Sequence, residues 1–237
     1  MSLQKFFDTM APMLERKASP QSVVEALGPS PSGPENVGFY ATLVERNHFK
    51  ILADIFPELR QLIFRELPGR WPELVRAYRD AHPAAHWDPN RFAANLSDFL
   101  RAMRERGELP HPIFEELADL CYLRQVVFAG NASDATAFEG RVAVRQYSHP
   151  TSDYFFKLKD DPSAPLPDPR PQVVFVYRHL RDDSLRHFLP TAAGLAALAL
   201  RQGIRELPAM FSALTPDQLD EADRALVEWG VFEPRES

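Results

Sequence analysis

The hydrophobic period of this chain changes once, and that change limits the fold more than any other feature. Up to about residue 130, apolar residues recur every three or four positions, the spacing of one face of an α-helix. The first stripes are Leu3, Phe6, Phe7, Met10, Met13 and Leu14, then Tyr40, Leu43, Val44, Ile51, Leu52 and Ile55, then Trp71, Leu74, Val75 and Tyr78. Two more follow, Phe92, Leu96, Phe99, Leu100 and Met103, and Phe114, Leu117, Leu120, Cys121 and Val127. Prolines and glycines separate the stripes. GPSPSGPE at 28–35 is a loop, Pro57 ends or kinks a helix, and the residue before Pro83 avoids the helical region. Asp88-Pro89 supplies an N-cap and a first-turn proline. Gly107 and Gly130 fit as helix stops.

Beyond residue 140 the pattern is different. Segments 141–147, 153–159, 172–179 and 185–189 are rich in β-branched and aromatic residues, which predicts strands. Val173 to Val176 is apolar on both faces, as in a central strand. Residues 160–171, DDPSAPLPDPRP, form an extended proline-rich loop. Thr191 caps an Ala/Leu helix that stops at Gly203, and 205–213 reads as a second short helix. Thr215-Pro216-Asp217-Gln218 is a capping box opening a last helix that ends at Trp229-Gly230. The expected fold is α+β. An all-α domain covers 1–130, a linker 131–140, and a small sheet-plus-helices, winged-helix-like domain 141–237.

Hydrophobic residues are 45% of the 237 and charged residues 25%, enough to build a packed core. Net charge is −6, and neither part is basic: 15 Lys and Arg face 17 Asp and Glu up to residue 130, and 12 face 16 beyond it. Duplex DNA binding usually leaves a basic footprint, so this balance weighs against it. No run of 18 or more apolar residues exists, so no membrane span is expected. Without a secretory signal pattern the expected location is cytoplasmic. The lone Cys121 excludes an internal disulfide and any multi-cysteine metal site.

Catalytic motifs are sparse. The chain has no nucleophile elbow, glycine-rich phosphate loop or HExxH. Cys121 lies on an apolar stripe and reads as a small buried hydrophobe. Pro83 separates His82 from His86, while His179 and His187 would face each other only across a hairpin. Asp160/Asp161 and Asp182/Asp183 sit where turns use Asp for backbone reasons. The expectation is therefore no catalytic residue, no bound metal and no cofactor. The expected strand 153–159 is more informative. Alternation puts Tyr154, Phe156 and Leu158 on one face and Phe155, Lys157 and Lys159 on the other. With Arg141, Arg145 and Arg178 from other strands, the sheet becomes locally basic. Arg145, Phe155, Lys157 and Arg178 are the candidate residues for an acidic, extended peptide that joins a sheet edge.

The order of several segments resembles a known bacterial family. They are Tyr40 through Asn47, Phe56-Pro57, Trp71…Tyr78…His82-Pro83, Phe92…Phe99-Leu100, Leu117-Ala118-Asp119-Leu120, Val176-Tyr177-Arg178 and Leu226…Trp229-Gly230. The family carries the label of a DNA-binding domain. Its members are partner subunits of multinuclear non-heme iron-dependent oxidases, and the methanobactin-biosynthesis partner protein is a relative. The similarity runs from about residue 36 to about 232 and is weakest over 131–170. It implies a helical domain followed by an α/β domain, a heterodimer with an oxidase that holds the iron, and recruitment of a ribosomally made precursor peptide for modification. On that reading Trp71 and Trp87 are candidate aromatic anchors for the oxidase interface. The alternative is a transcription factor whose last three helices form a winged helix-turn-helix. Its final helix would carry Asp217, Asp220, Glu221, Asp223 and Glu228 against Arg224 alone, and phosphates would repel it.

Overall fold

A computed structural model of the chain describes residues 3–14, 18–28, 34–83, 89–130 and 140–234. Seven α-helices come first: α1 (Leu3–Leu14), α2 (Pro20–Leu27), α3 (Pro34–Ile55), α4 (Pro57–Glu66), α5 (Arg70–Ala81), α6 (Leu96–Glu105) and α7 (Ile113–Ala129). A 3-10 turn over Pro89–Ala93 precedes α6. Then follow β1 (Val142–Tyr147), α8 (Thr151–Asp160), β2 (Gln172–Arg178), β3 (Leu185–Phe188), α9 (Ala192–Arg201) and α10 (Pro216–Glu228). The fold is mixed helix and sheet, and the three strands form one antiparallel sheet in the order β1-β2-β3. Among the described residues no helix is long and apolar enough to cross a membrane.

Helix α7 is the axis of the core. Phe114, Leu117, Ala118, Leu120, Cys121 and Val127 are buried on it and make a broad apolar face. Leu59, Leu62 and Ile63 of α4 and Leu96 and Leu100 of α6 share its cluster. So do Tyr147, Tyr154, Phe155, Leu158, Val174 and Val176. One apolar core therefore takes residues from both sides of the boundary expected at 131–140. The opposite face of the sheet packs Val142, Phe175 and Tyr177 against Ala197, Leu198, Leu226 and Val231. The sheet lies between α7 and α8 on one side and α9 and α10 on the other, and alternation along β2 feeds both cores.

Segment 153–159 is not the expected strand. It is helix α8, which buries Thr151, Tyr154, Phe155 and Leu158, a spacing of one helical face. Over six residues, YFFKLK fits a period of two or of 3.6, and the burial of Thr151 with Tyr154, Phe155 and Leu158 follows the helical one. Asp153 in the first turn and Lys157 and Lys159 in the last suit the helix dipole. The start of α8 is held by groups distant in sequence. Glu116 accepts from the Ser148 amide at 2.7 Å, the Ser148 hydroxyl at 2.6 Å and the Thr151 hydroxyl at 2.7 Å. Oε1 of Gln172 accepts from the Ser152 amide at 2.9 Å.

The run before Pro57 ends as expected, since α3 stops at Ile55, and Pro57 also begins α4, because its missing N–H is not needed at a helix start. One smaller difference lies in 205–213, where only Ala209–Phe211 winds, as a single 3-10 turn. The caps agree with expectation. The Thr191 hydroxyl accepts from the Gly194 amide, and Thr215 and Gln218 form the reciprocal capping box.

Candidate binding edge and the polar junctions beside it

Among the described residues strand β1 has one partner, β2. The Arg178 amide donates to O of Arg141 at 2.9 Å, and the register places Ala143 opposite Val176, Arg145 opposite Val174 and Tyr147 opposite Gln172. Antiparallel pairs alternate in hydrogen bonding. Residues 143, 145 and 147 therefore point their amides and carbonyls at β2, while Val142, Val144 and Gln146 point theirs away. Among the described residues, what reaches this outer row is Nη1 of Arg145, 3.3 Å from O of Val144. On β3 the His179 amide donates to O of Ser184 at 2.9 Å, so Leu185 and His187 face outward there.

A groove of about 250 Å³ runs beside β1, lined by Ser97, Arg101, Glu115, Glu116, Asp119, Arg145, Gln146 and Tyr147. Its charges are largely matched. Glu115 takes a fork of bonds from Arg104 at 2.8 and 3.1 Å. Asp119 accepts from the Tyr147 phenol at 2.8 Å and lies 3.5 Å from Arg145. Burial first, and the Asp119 carboxylate second, push the Tyr147 phenol far up, so it is a fixed donor. The Arg145 side chain is 51% exposed.

A second junction lies among α4, α7, α8 and β3. A cavity of about 180 Å³ is lined there by Glu58, Cys121, Arg124, Phe128, Phe155, Lys159 and Leu185, among others. The Phe155 ring packs under two cations, Arg124 at 4.8 Å and Lys159 at 4.7 Å from its centroid. Glu58 is buried, with Lys159 at 3.5 Å and the Cys121 sulfur at 3.8 Å. Burial, and then the Glu58 carboxylate, push the Cys121 thiol well up, which leaves it without nucleophilic thiolate. Nδ1 of His187 meets Nη1 of Arg124 at 2.7 Å and Nε2 meets the Ser152 hydroxyl at 2.9 Å. A guanidinium only donates, so Nδ1 accepts and Nε2 carries the proton. His187 then donates to Ser152 and cannot take its proton, the reverse of a nucleophile–base pair. Burial, followed by the Arg124 and Lys159 charges, lowers the His187 pKa to about 4.

The structure does not gather the four candidate residues into one patch. Arg145 is on the outer strand β1 beside Asp119. Phe155 is buried at the β3 side, and its neighbour Phe156 is the exposed ring, at 47%. Lys157 is exposed on α8, and Arg178 is buried at the end of β2. Trp71 is 3% exposed and belongs to the core, so it is no surface anchor; Trp87 lies outside the described residues. His179 and His187 do not face each other, since the register sets His187 opposite Val176. Among the described residues no group of three His, Cys, Asp or Glu side chains is placed to hold a metal ion. Asp119, Glu116 and His187 carry much of the local chemistry. Their partners are up to 63 residues away, and no spacing rule reaches that far. No protein-family model matches the chain, and no curated protein matches it in sequence.

Proposed function

We propose that this chain is a non-catalytic partner subunit that pairs an extended precursor peptide along the outer edge of β1 and presents it to an iron-dependent oxidase. The observation that carries the reading is the outward row of Val142, Val144 and Gln146, each offering an amide and a carbonyl. Strand addition uses such a row for affinity and leaves specificity to alternate side chains. Arg145, half exposed next to this row, supplies a charge for an acidic peptide and acts mainly on its rate of arrival. Phe155, Lys157 and Arg178 drop out of the peptide surface on this reading, since Phe155 and Lys157 lie on α8 and Arg178 is buried at the end of β2.

The oxidase and the heterodimer come from the family resemblance. Phe39, 56% exposed, and Phe64, 44% exposed, replace Trp71 as anchors on the helical part, because aromatic side chains carry much of an interface's energy. Helices α9 and α10 beside the β2–β3 hairpin serve as a winged-helix-like frame for the sheet. Asp217, Asp220, Glu221 and Glu228 are exposed on α10, which favours a peptide ligand over DNA.

Fluorescence anisotropy with a labelled precursor peptide of acidic, extended sequence tests the proposal. Gln146 is exposed and its amide points outward, so Gln146→Pro removes one edge donor while leaving the β2 ladder intact. The expected result is binding that Gln146→Pro weakens about tenfold or more, the loss of about 1.4 kcal/mol. Equal affinity of the two proteins, or no binding at all, contradicts the proposal.

A further inference from the structure

We propose that Arg141 and Arg178 form an oxyanion-binding site at the end of the sheet, one that accepts a carboxylate or a phosphate on the guanidinium of Arg178. It is separate from the β1 edge and does not depend on it.

The two arginines are cross-strand neighbours, joined by the bond from the Arg178 amide to O of Arg141. Both are more than nine-tenths buried, at 5% and 6% exposure. Arginine is rarely buried without a counter-charge, and a guanidinium cannot shed its proton to escape the cost. Arg141 is tied down as part of the framework. Its Nη1 donates to O of Arg178 at 2.8 Å and its Nη2 to O of Val231 at 2.7 Å.

Arg178 is not tied down in this way. Among the described residues its Nη1 makes one long contact, 3.5 Å to O of Phe128, while Nε and Nη2 are buried with no hydrogen-bond partner. Those two nitrogens form one edge of the guanidinium fork, the edge that takes the two oxygens of a carboxylate or phosphate side by side. The nearest acid, Asp183, is 72% exposed and its Oδ1 is 3.8 Å from Nε, beyond hydrogen-bond range. Among the described residues these two adjacent buried cations face the solvated Asp183, beyond hydrogen-bond range of Arg178, and Arg141 also feels the Glu233 carboxylate.

Asp183 also covers the site. It lies in the turn between β2 and β3 with φ of +54°, the one non-glycine residue at positive φ among the described residues, a conformation that costs energy for a residue with a side chain. An oxyanion that binds the free edge displaces this turn and takes over the role Asp183 fills poorly.

The test follows the thermal midpoint in sodium phosphate, sodium acetate and sodium chloride at matched ionic strength. The wild-type chain should show a saturable rise in phosphate or acetate relative to chloride. A phosphate response alone assigns a phosphate ligand, and an acetate response alone a carboxylate. Arg178→Met should lose the response and, in chloride, melt no lower than wild type, because removing an uncompensated buried charge relieves the fold. Arg178→Lys keeps the charge without the fork and should also lose it. Asp183→Asn removes the competing carboxylate and should bind the anion severalfold more tightly. A wild type unresponsive to both anions, or an Arg178→Met chain as responsive as wild type, overturns the proposal.

Discussion

The Tyr147 phenol donates to Oδ2 of Asp119 at 2.8 Å, and this bond ties the last residue of β1 to α7. Tyr147 is 5% exposed. The edge strand is therefore anchored through a side chain on its inner face, and among the described residues only Arg145, through O of Val144, touches the outer backbone row. Arg145, two residues earlier, shares the same carboxylate at 3.5 Å.

Tyr147→Phe should keep the ring in place and remove that donor. The cost should be about 1–2 kcal/mol, because Asp119 retains Arg145 as a partner. Urea unfolding monitored by tryptophan fluorescence measures it.

His187 should make stability depend on pH. Its pKa falls from 6.5 in the unfolded chain to about 4 in the folded one, first through burial and then through Arg124 and Lys159. Between these values the unfolded chain binds the extra proton. The stability contributed by neutral His187 is full above pH 6.5 and is lost as pH falls through the interval toward about 4. At most about 3 kcal/mol is involved. His48 and His111 are also lowered, by burial first, so the comparison to make is with His187→Gln. The urea midpoint of wild type should drop more than that of the variant between pH 7 and pH 4.

Trp71→Ala separates the core from the interface. At 3% exposure within the main cluster, this ring should cost about 3–5 kcal/mol when truncated. Calorimetry should show a large loss of thermal stability for the chain alone, with no partner present.

Much of the fold was legible because its signals are local. The stripes of α5, α6 and α7, the three strands, and the caps at Thr191 and Thr215 depend on residues within a turn or two. Helix α8 was misread because Tyr154 through Lys159 fit both periods, and the deciding groups, Glu116 and Gln172, lie elsewhere in the chain. The candidate site was less legible. Alternation identifies a surface only once the element type is right, so Phe155 moved inside and Phe156 outside. Arg145 was placed on a strand and is there, whereas its position on the outer edge follows from sheet order, which no local pattern encodes. Residue type alone makes Trp71 an interface candidate, and burial decides against it.

Amide hydrogen exchange with and without the precursor peptide tests the central claim most directly. The amides of Val142, Val144 and Gln146 point outward in the free protein and should exchange quickly. With peptide bound they should slow together, while those of Leu185 and His187 on β3 stay unchanged. Slowing confined to β3 or to the helices, with the three β1 amides exchanging as before, would contradict the account.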